Sequence, residues 1–311
     1  MTGGFAAASA VVPGGPGRWS ATVADGWDIA GNANGGYLLA IAGRAMADAV
    51  GRPDPVTITA HYLAPGRPGP VDVSATVVRS GRRFSTATGL LSSPERPLLA
   101  VLGTFGELSS TDDAPEHVEG APPDLPAPED CVAMVGTDTF PPPFMRRVDL
   151  RLHPDDAGFT RGRPTGRPRV RGWFRLPGDE PVDPLALLCA VDAFPPTIFN
   201  ADLPVAWTPT VELTAHVRSR PVPGWLACSF STRFVSGGFL EAAGEVWDAA
   251  GRLVAQSRQL AAVPRGWGPT AGREGAPRCS LLHRRWRSSG GIRCSTVSSA
   301  ACPRPASRWP A

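Results

Sequence analysis

The sequence predicts an α+β fold assembled from two tandem copies of one unit, a helix followed by four antiparallel strands. Three observations carry this. First, Val56-Thr-Ile-Thr59-Ala60-His61 recurs as Val211-Glu-Leu-Thr214-Ala215-His216 at an offset of 155 residues. Leu99-Ala100 recurs as Val254-Ala255 at the same offset, and Ser80-Gly81 as Ser236-Gly237 at 156. A constant spacing held over roughly fifty residues marks a duplicated unit. Second, short segments alternating apolar and polar residues follow one another between Pro/Gly turns, the signature of half-buried strands. Third, each set of strands is preceded by an apolar segment rich in strong helix formers.

In the first repeat the segment Tyr37–Val50 has apolar residues on nearly every side, so the spacing predicts a largely buried helix. Asn34-Gly35-Gly36 opens it and Gly51-Arg52-Pro53 closes it. Strands are expected at Val56–Leu63, Val71–Ser80, Arg83–Ser92 and Pro97–Leu108. In the second repeat Asp183 is a suitable N-cap and Pro184 sits at the first helical position, where a missing N–H is harmless. The helix Leu185–Ala193 should end at Phe194-Pro195-Pro196, because a proline moves its predecessor out of the α region. Strands follow at Thr208–Val217, Trp225–Phe234, Phe239–Trp247 and Leu253–Val263, with Asp248-Ala-Ala-Gly251 as the last hairpin turn.

The boundaries drawn from this pattern are 1–108 for the first repeat and 109–167 for a Pro-rich linker and lead-in, then 168–265 for the second repeat and 266–311 for a tail. The tail lacks apolar periodicity and is rich in Arg, Ser, Gly, Pro and Cys, so it is expected to be disordered.

Of the formal charge of +3, residues 266–311 hold eight arginines against one glutamate, which leaves 1–265 net acidic. That argues against a nucleic-acid-binding core, which needs a basic face. All 31 basic residues are arginine, which suggests codon bias rather than function. The six cysteines form no CxxC pair and have no histidine at ligand spacing, so neither a metal nor a disulfide framework is expected. No run of eighteen apolar residues exists, and Met1-Thr2-Gly3-Gly4-Phe5 lacks the features of a secretory signal. No membrane span is expected, and a cytoplasmic setting is.

One residue conflicts with its neighbours. Leu185–Phe194 is apolar on every face except at Asp192, and an unpaired buried carboxylate costs several kcal/mol. It is read either as a general base held in an apolar pocket or as an Asp that caps a neighbouring loop or emerges into solvent. Gln259 ends a polar alternation just before the apolar Leu260–Val263 and can face a cleft.

Asp192 in its apolar helix, then Trp207-x-Pro-Thr210-Val-Glu212-Leu-Thr214, then Gly251–Gln259, resembles the second hotdog of type II acyl-CoA thioesterases and their actinobacterial thioesterase-like relatives. Asn34-Gly35-Gly36-Tyr37 and His61-Tyr-Leu-Ala-Pro65-Gly66 resemble their first hotdog, so the likeness spans about 20–108 and 168–264. The resemblance implies a tandem (double) hotdog with sheets joined edge to edge, each wrapping a central helix. It also implies hydrolysis of fatty acyl-CoA to free acid and CoA, with no cofactor.

A triad of Asp, Thr and Gln that activates a water, without an acyl-enzyme, would then fall on Asp192, Thr210 and Gln259. Period-two alternation puts Thr208 and Thr214 on the face of Thr210, which leaves them as alternatives. Subtracting 155 gives Tyr37, Pro55 and Thr104, which cannot form the triad, so the first repeat reads as the structural copy. A backbone N–H near a helix start is expected to stabilise the oxyanion. The expected partners are acyl-CoA and further copies of the chain. Two alternatives stay open: a hotdog dehydratase or hydratase, for which His61 or His216 would have to serve although matched copies suggest structural positions, and a non-catalytic acyl-binding scaffold.

Overall fold

Alternating burial along the strands builds a 14-stranded antiparallel sheet in the computed structural model, which describes residues 4–108, 117–138, 140–201, 203 and 205–263. In the first half the strands are β1 (Val12–Pro13), β2 (Arg18–Val23), β3 (Asp28–Ile29), β4 (Asn32–Ala33), β5 (Asp54–Tyr62), β6 (Gly69–Arg79), β7 (Ser85–Ser92) and β8 (Pro97–Gly106). The second half holds β9 (Val132–Ala133), β10 (Asp149–Leu152), β11 (Arg169–Arg175), β12 (Thr210–Val217), β13 (Leu226–Ser231), β14 (Val235–Ser236), β15 (Phe239–Trp247) and β16 (Leu253–Ala262). Among the described residues three α-helices accompany them: α1 (Phe5–Ala8), α2 (Gly35–Val50) and α3 (Leu187–Ala190).

The strand order is β1-β2-β6-β7-β8-β5-β12-β16-β15-β13-β11-β10-β9, with β14 beside β15 and a separate β3-β4 pair. Read outward from the centre, β5-β8-β7-β6-β2 and β12-β16-β15-β13-β11 repeat the same order. Each half thus adds a strand before its helix, β2 or β11, to the four read from the sequence. The halves join where β5 pairs antiparallel with β12, and there Thr59 lies opposite Thr214, its own repeat equivalent. Their hydroxyls are 2.9 Å apart. Thr57 lies opposite His216 and His61 opposite Glu212, so a local two-fold relation passes through the Thr59–Thr214 pair.

Helix α2 forms as its composition dictates. Asn34 caps it by accepting the Tyr37 N–H at 2.9 Å, and Gly51 ends it in the left-handed region at φ 63°. It lies against β5, β6, β7 and β8 and buries Leu38, Leu39, Ile41 and Met46. Each such side chain withdrawn from water contributes about 2 kcal/mol.

The second helix is shorter than expected. Only Leu187–Ala190 is α-helical, rather than Leu185–Ala193. Pro184 and Pro195-Pro196 bound the segment, and past α3 the chain tightens: the Asp192 N–H reaches back only three residues, to the Cys189 carbonyl. Asp183 does cap the segment, its Oδ1 accepting the Ala186 N–H at 2.6 Å. Within 109–167, read as linker and lead-in, the residues from 128 onward supply β9 and β10 to the sheet's far edge. The tail 266–311 lies outside the described residues.

Candidate active site

The start of α2 and the end of α3 meet with almost no space between them. A Cβ on Gly36 would sit 2.3 Å from the Leu188 carbonyl oxygen and 2.9 Å from Asp192 Cβ, so only glycine admits this approach. It brings the Asp192 carboxylate to the N-terminal end of α2, where unpaired N–H groups and the helix dipole favour negative charge. Asp192 Oδ2 accepts the Gly36 N–H at 2.8 Å and Asn34 Nδ2–H at 3.1 Å. Asn34 Nδ2 also donates to the Asp192 backbone carbonyl at 3.0 Å.

These contacts answer the puzzle of a carboxylate in an apolar helix. One oxygen caps the opposite repeat's helix, while Oδ1 is turned toward Gln259. Burial pushes the Asp192 pKa up to about 6; the N–H groups of Gly36 and Gly35 and the Asn34 amide pull in the other direction without cancelling it.

Gln259 and Thr210 reach the same place from the sheet. Gln259 lies opposite Leu213 on β12, and Leu213 is buried on the face that covers the helices. Simple alternation would turn Thr210 away from that face. The register shifts between Thr210 and Glu212, however, and Thr210 pairs with Ala261, two residues on from Gln259 and on its face. Gln259 Nε2 donates a short hydrogen bond to Thr210 Oγ1 and reaches Asp192 Oδ1 at 3.5 Å. The three residues named from the sequence therefore converge.

The other two threonines do not. Thr214 faces the opposite side of the sheet, bonded to Thr59 and, at 2.5 Å, to Glu212 Oε1. Thr208 donates to the Ala206 carbonyl at 3.1 Å. Period-two alternation groups Thr214 with Thr210 because a bulge is invisible to it, and Thr208 precedes β12, which begins at Thr210.

His61 and His216 are exposed and lie on that same opposite side. A dehydratase would need one of them beside the acyl thioester, and neither shares a face with Asp192. Among the described residues no cluster of three or more His, Cys, Asp or Glu could hold a metal.

The first repeat carries the same bulge, between Pro55 and Thr57, but not the same chemistry. By pairing register the partner of Gln259 is Gly103, which faces Ile58 as Gln259 faces Leu213, and not Thr104 as a fixed offset of 155 would have it. A Cβ at Gly103 would meet Phe105 at 2.9 Å and Met46 at 3.3 Å, so packing fills this place.

Two contributions escaped sequence reasoning. Asn34-Gly35-Gly36 was legible as a helix opening, but not as the seat of a carboxylate 158 residues away. Tyr62 is legible as part of a strand and of the His61–Gly66 motif but not as a site residue; it flanks the site, 2.7 Å from where a Gly35 Cβ would stand.

Comparison with known proteins follows the same division. Residues 23–106 match the acyl-CoA thioesterase N-terminal domain and 128–263 the acyl-CoA thioesterase C-terminal domain. A candidate thioesterase II of Thermobifida fusca is 34% identical, with TM-score 0.76 over 84% of this chain and 97% of that one. A hot dog fold protein of unknown function from Alicyclobacillus acidocaldarius is 23% identical, with TM-score 0.75 over 85% of this chain and 99% of that one. An uncharacterised Mycobacterium tuberculosis protein is 29% identical over 268 residues, 76% of this chain and 88% of its own.

Proposed function

Because the chain belongs to the acyl-CoA thioesterase family, its halves matching that family's N- and C-terminal domains, we propose that it is a double hotdog that hydrolyses a fatty acyl-CoA to the free acid and CoA. The observation that carries the reading is Gln259 bonded to Thr210 and reaching Asp192 at the two-repeat junction.

In this mechanism Asp192 Oδ1 takes a proton from a water held with Thr210 and Gln259. The water oxygen attacks the thioester carbon, the C–S bond breaks, and the departing CoA thiolate recovers the proton from Asp192. A base with a pKa of about 6 suits this work, being mostly ionised at neutral pH yet basic enough to accept a proton. No covalent acyl-enzyme is required. The proposal also takes the protein as cytoplasmic and homo-oligomeric, the latter checked by light scattering.

The test is thiol release by the purified full chain from acyl-CoAs of graded length. Turnover of any of them supports the reading, and none hydrolysed across the series overturns it in favour of an acyl-binding scaffold.

A further inference from the structure

Among the described residues, the donors around the Asp192 carboxylate already have a use, two hydroxyls excepted. Asn34 directs its amide N–H groups to the Asp192 backbone carbonyl and Oδ2. Gln259 directs its own to Thr210 and Asp192 Oδ1. At the start of α2, the Gly35 and Gly36 N–H groups serve Asp192, the Tyr37 N–H goes to Asn34 Oδ1, and the Leu38 N–H goes to the Asn34 carbonyl. The helix-start amide expected to stabilise an oxyanion is thus occupied by the base itself.

The exceptions are the Thr210 and Tyr62 hydroxyls. Thr210 accepts from Gln259 and keeps its proton for the water. Tyr62 Oη is buried and has no hydrogen-bond partner among the described residues. Such groups are rare, because a buried donor without a partner has lost its hydrogen bonds to water and gained none.

Position explains what this one is for. Tyr62 ends β5 on the face of Ile58 and Ala60, both wholly buried against the helices. Its Cζ and Asp192 Oδ2 both lie 3.0 Å from the point a Gly35 Cβ would occupy, so glycine there lets ring and carboxylate share one small space. At the repeat-equivalent position stands Val217, which has no donor.

Resting on the thioesterase reading, we propose that the Tyr62 hydroxyl is a further catalytic group, donating a hydrogen bond to the thioester carbonyl oxygen as negative charge develops on it. Burial, with the Asp192 and Glu212 carboxylates nearby, holds its pKa well above the ordinary phenol value. It therefore stays protonated as a donor throughout turnover. No proton leaves it, and the balance of the hydrolysis is unchanged.

The experiment compares wild type with Tyr62→Phe, full chain, in three readouts. The melting temperature should hold or rise, because the change removes only an unpartnered hydroxyl. On a turned-over acyl-CoA, kcat should fall by a factor on the order of a hundred, the usual cost of losing an oxyanion donor, with KM little changed. Binding of a ketone analogue of acyl-CoA, with CH2 in place of sulfur, should weaken, while binding of an S-alkyl-CoA thioether without a carbonyl should not.

Unchanged kcat with unchanged ketone affinity overturns the proposal, as does equal weakening for both analogues or a fall in melting temperature that tracks lost activity. Should wild type itself hydrolyse no acyl-CoA, the thioesterase reading fails instead. The two failures are therefore distinct.

Discussion

Replacing Asp192 by asparagine separates charge from shape. In the folded protein the carboxyl titrates at about 6 instead of its ordinary 3.8. That gap of about two units corresponds to about 3 kcal/mol of destabilisation carried by the ionised form at pH 7. The sign follows from proton binding: the folded protein holds this proton more tightly than the unfolded chain. The Asp192 contribution to stability is therefore most favourable below about pH 4, falls as pH rises to about 6, and is level above.

A neutral asparagine escapes that penalty, so at pH 7 the Asp192→Asn variant should be at least as stable as wild type, by up to about 3 kcal/mol, with the gain vanishing below about pH 4. Repacking trims the gain: if the new carbonyl faces Gly36 and Asn34, the new amide faces Gln259, which must turn its own amide over. Turnover moves the other way, falling about a hundredfold or more with the loss of a general base. Melting temperature against pH and thiol release on the same preparation form the assay. Wild-type turnover in the variant would remove Asp192 from the mechanism, and parallel loss of stability and turnover at pH 7 would make it a structural residue.

Thr210→Ala and Gln259→Ala should each lower kcat, and the double variant should lose less than the product of the single losses, because the two act as one hydrogen-bonded unit; steady-state kinetics decides it. Asn34→Ala removes the cap of α2 and a contact that lowers the Asp192 pKa, so the acid limb of kcat/KM against pH should move from about 6 to higher pH. Gly36→Ala sets a methyl 2.3 Å from a carbonyl oxygen that cannot yield without moving α3. A denaturant melt should show a loss of about 1–3 kcal/mol or more, and a wild-type melt would refute the close packing of the two repeats.

Local rules reach far into this chain. The duplication, the buried helix, eight strands to within a few residues, the Asp183 cap and the oddity of Asp192 were all legible, because burial period, caps and turns are written in neighbouring residues. The second helix is shorter than its bounding prolines allow, because the chain at both its ends tightens to three-residue hydrogen bonds that composition does not reveal. Alternation alone puts Thr214 on the wrong face, because a bulge costs one unpaired residue and leaves no periodic trace. Only tertiary structure decided that the Asn34-Gly35-Gly36 turn holds a carboxylate from the other repeat, that Gly103 and not Thr104 stands where Gln259 does, and that Tyr62 is left without a partner. These facts depend on which glycines let two backbones touch and on which strands meet across 155 residues of chain. Pairing at that distance is settled by the packing of the whole sheet, which no local window contains.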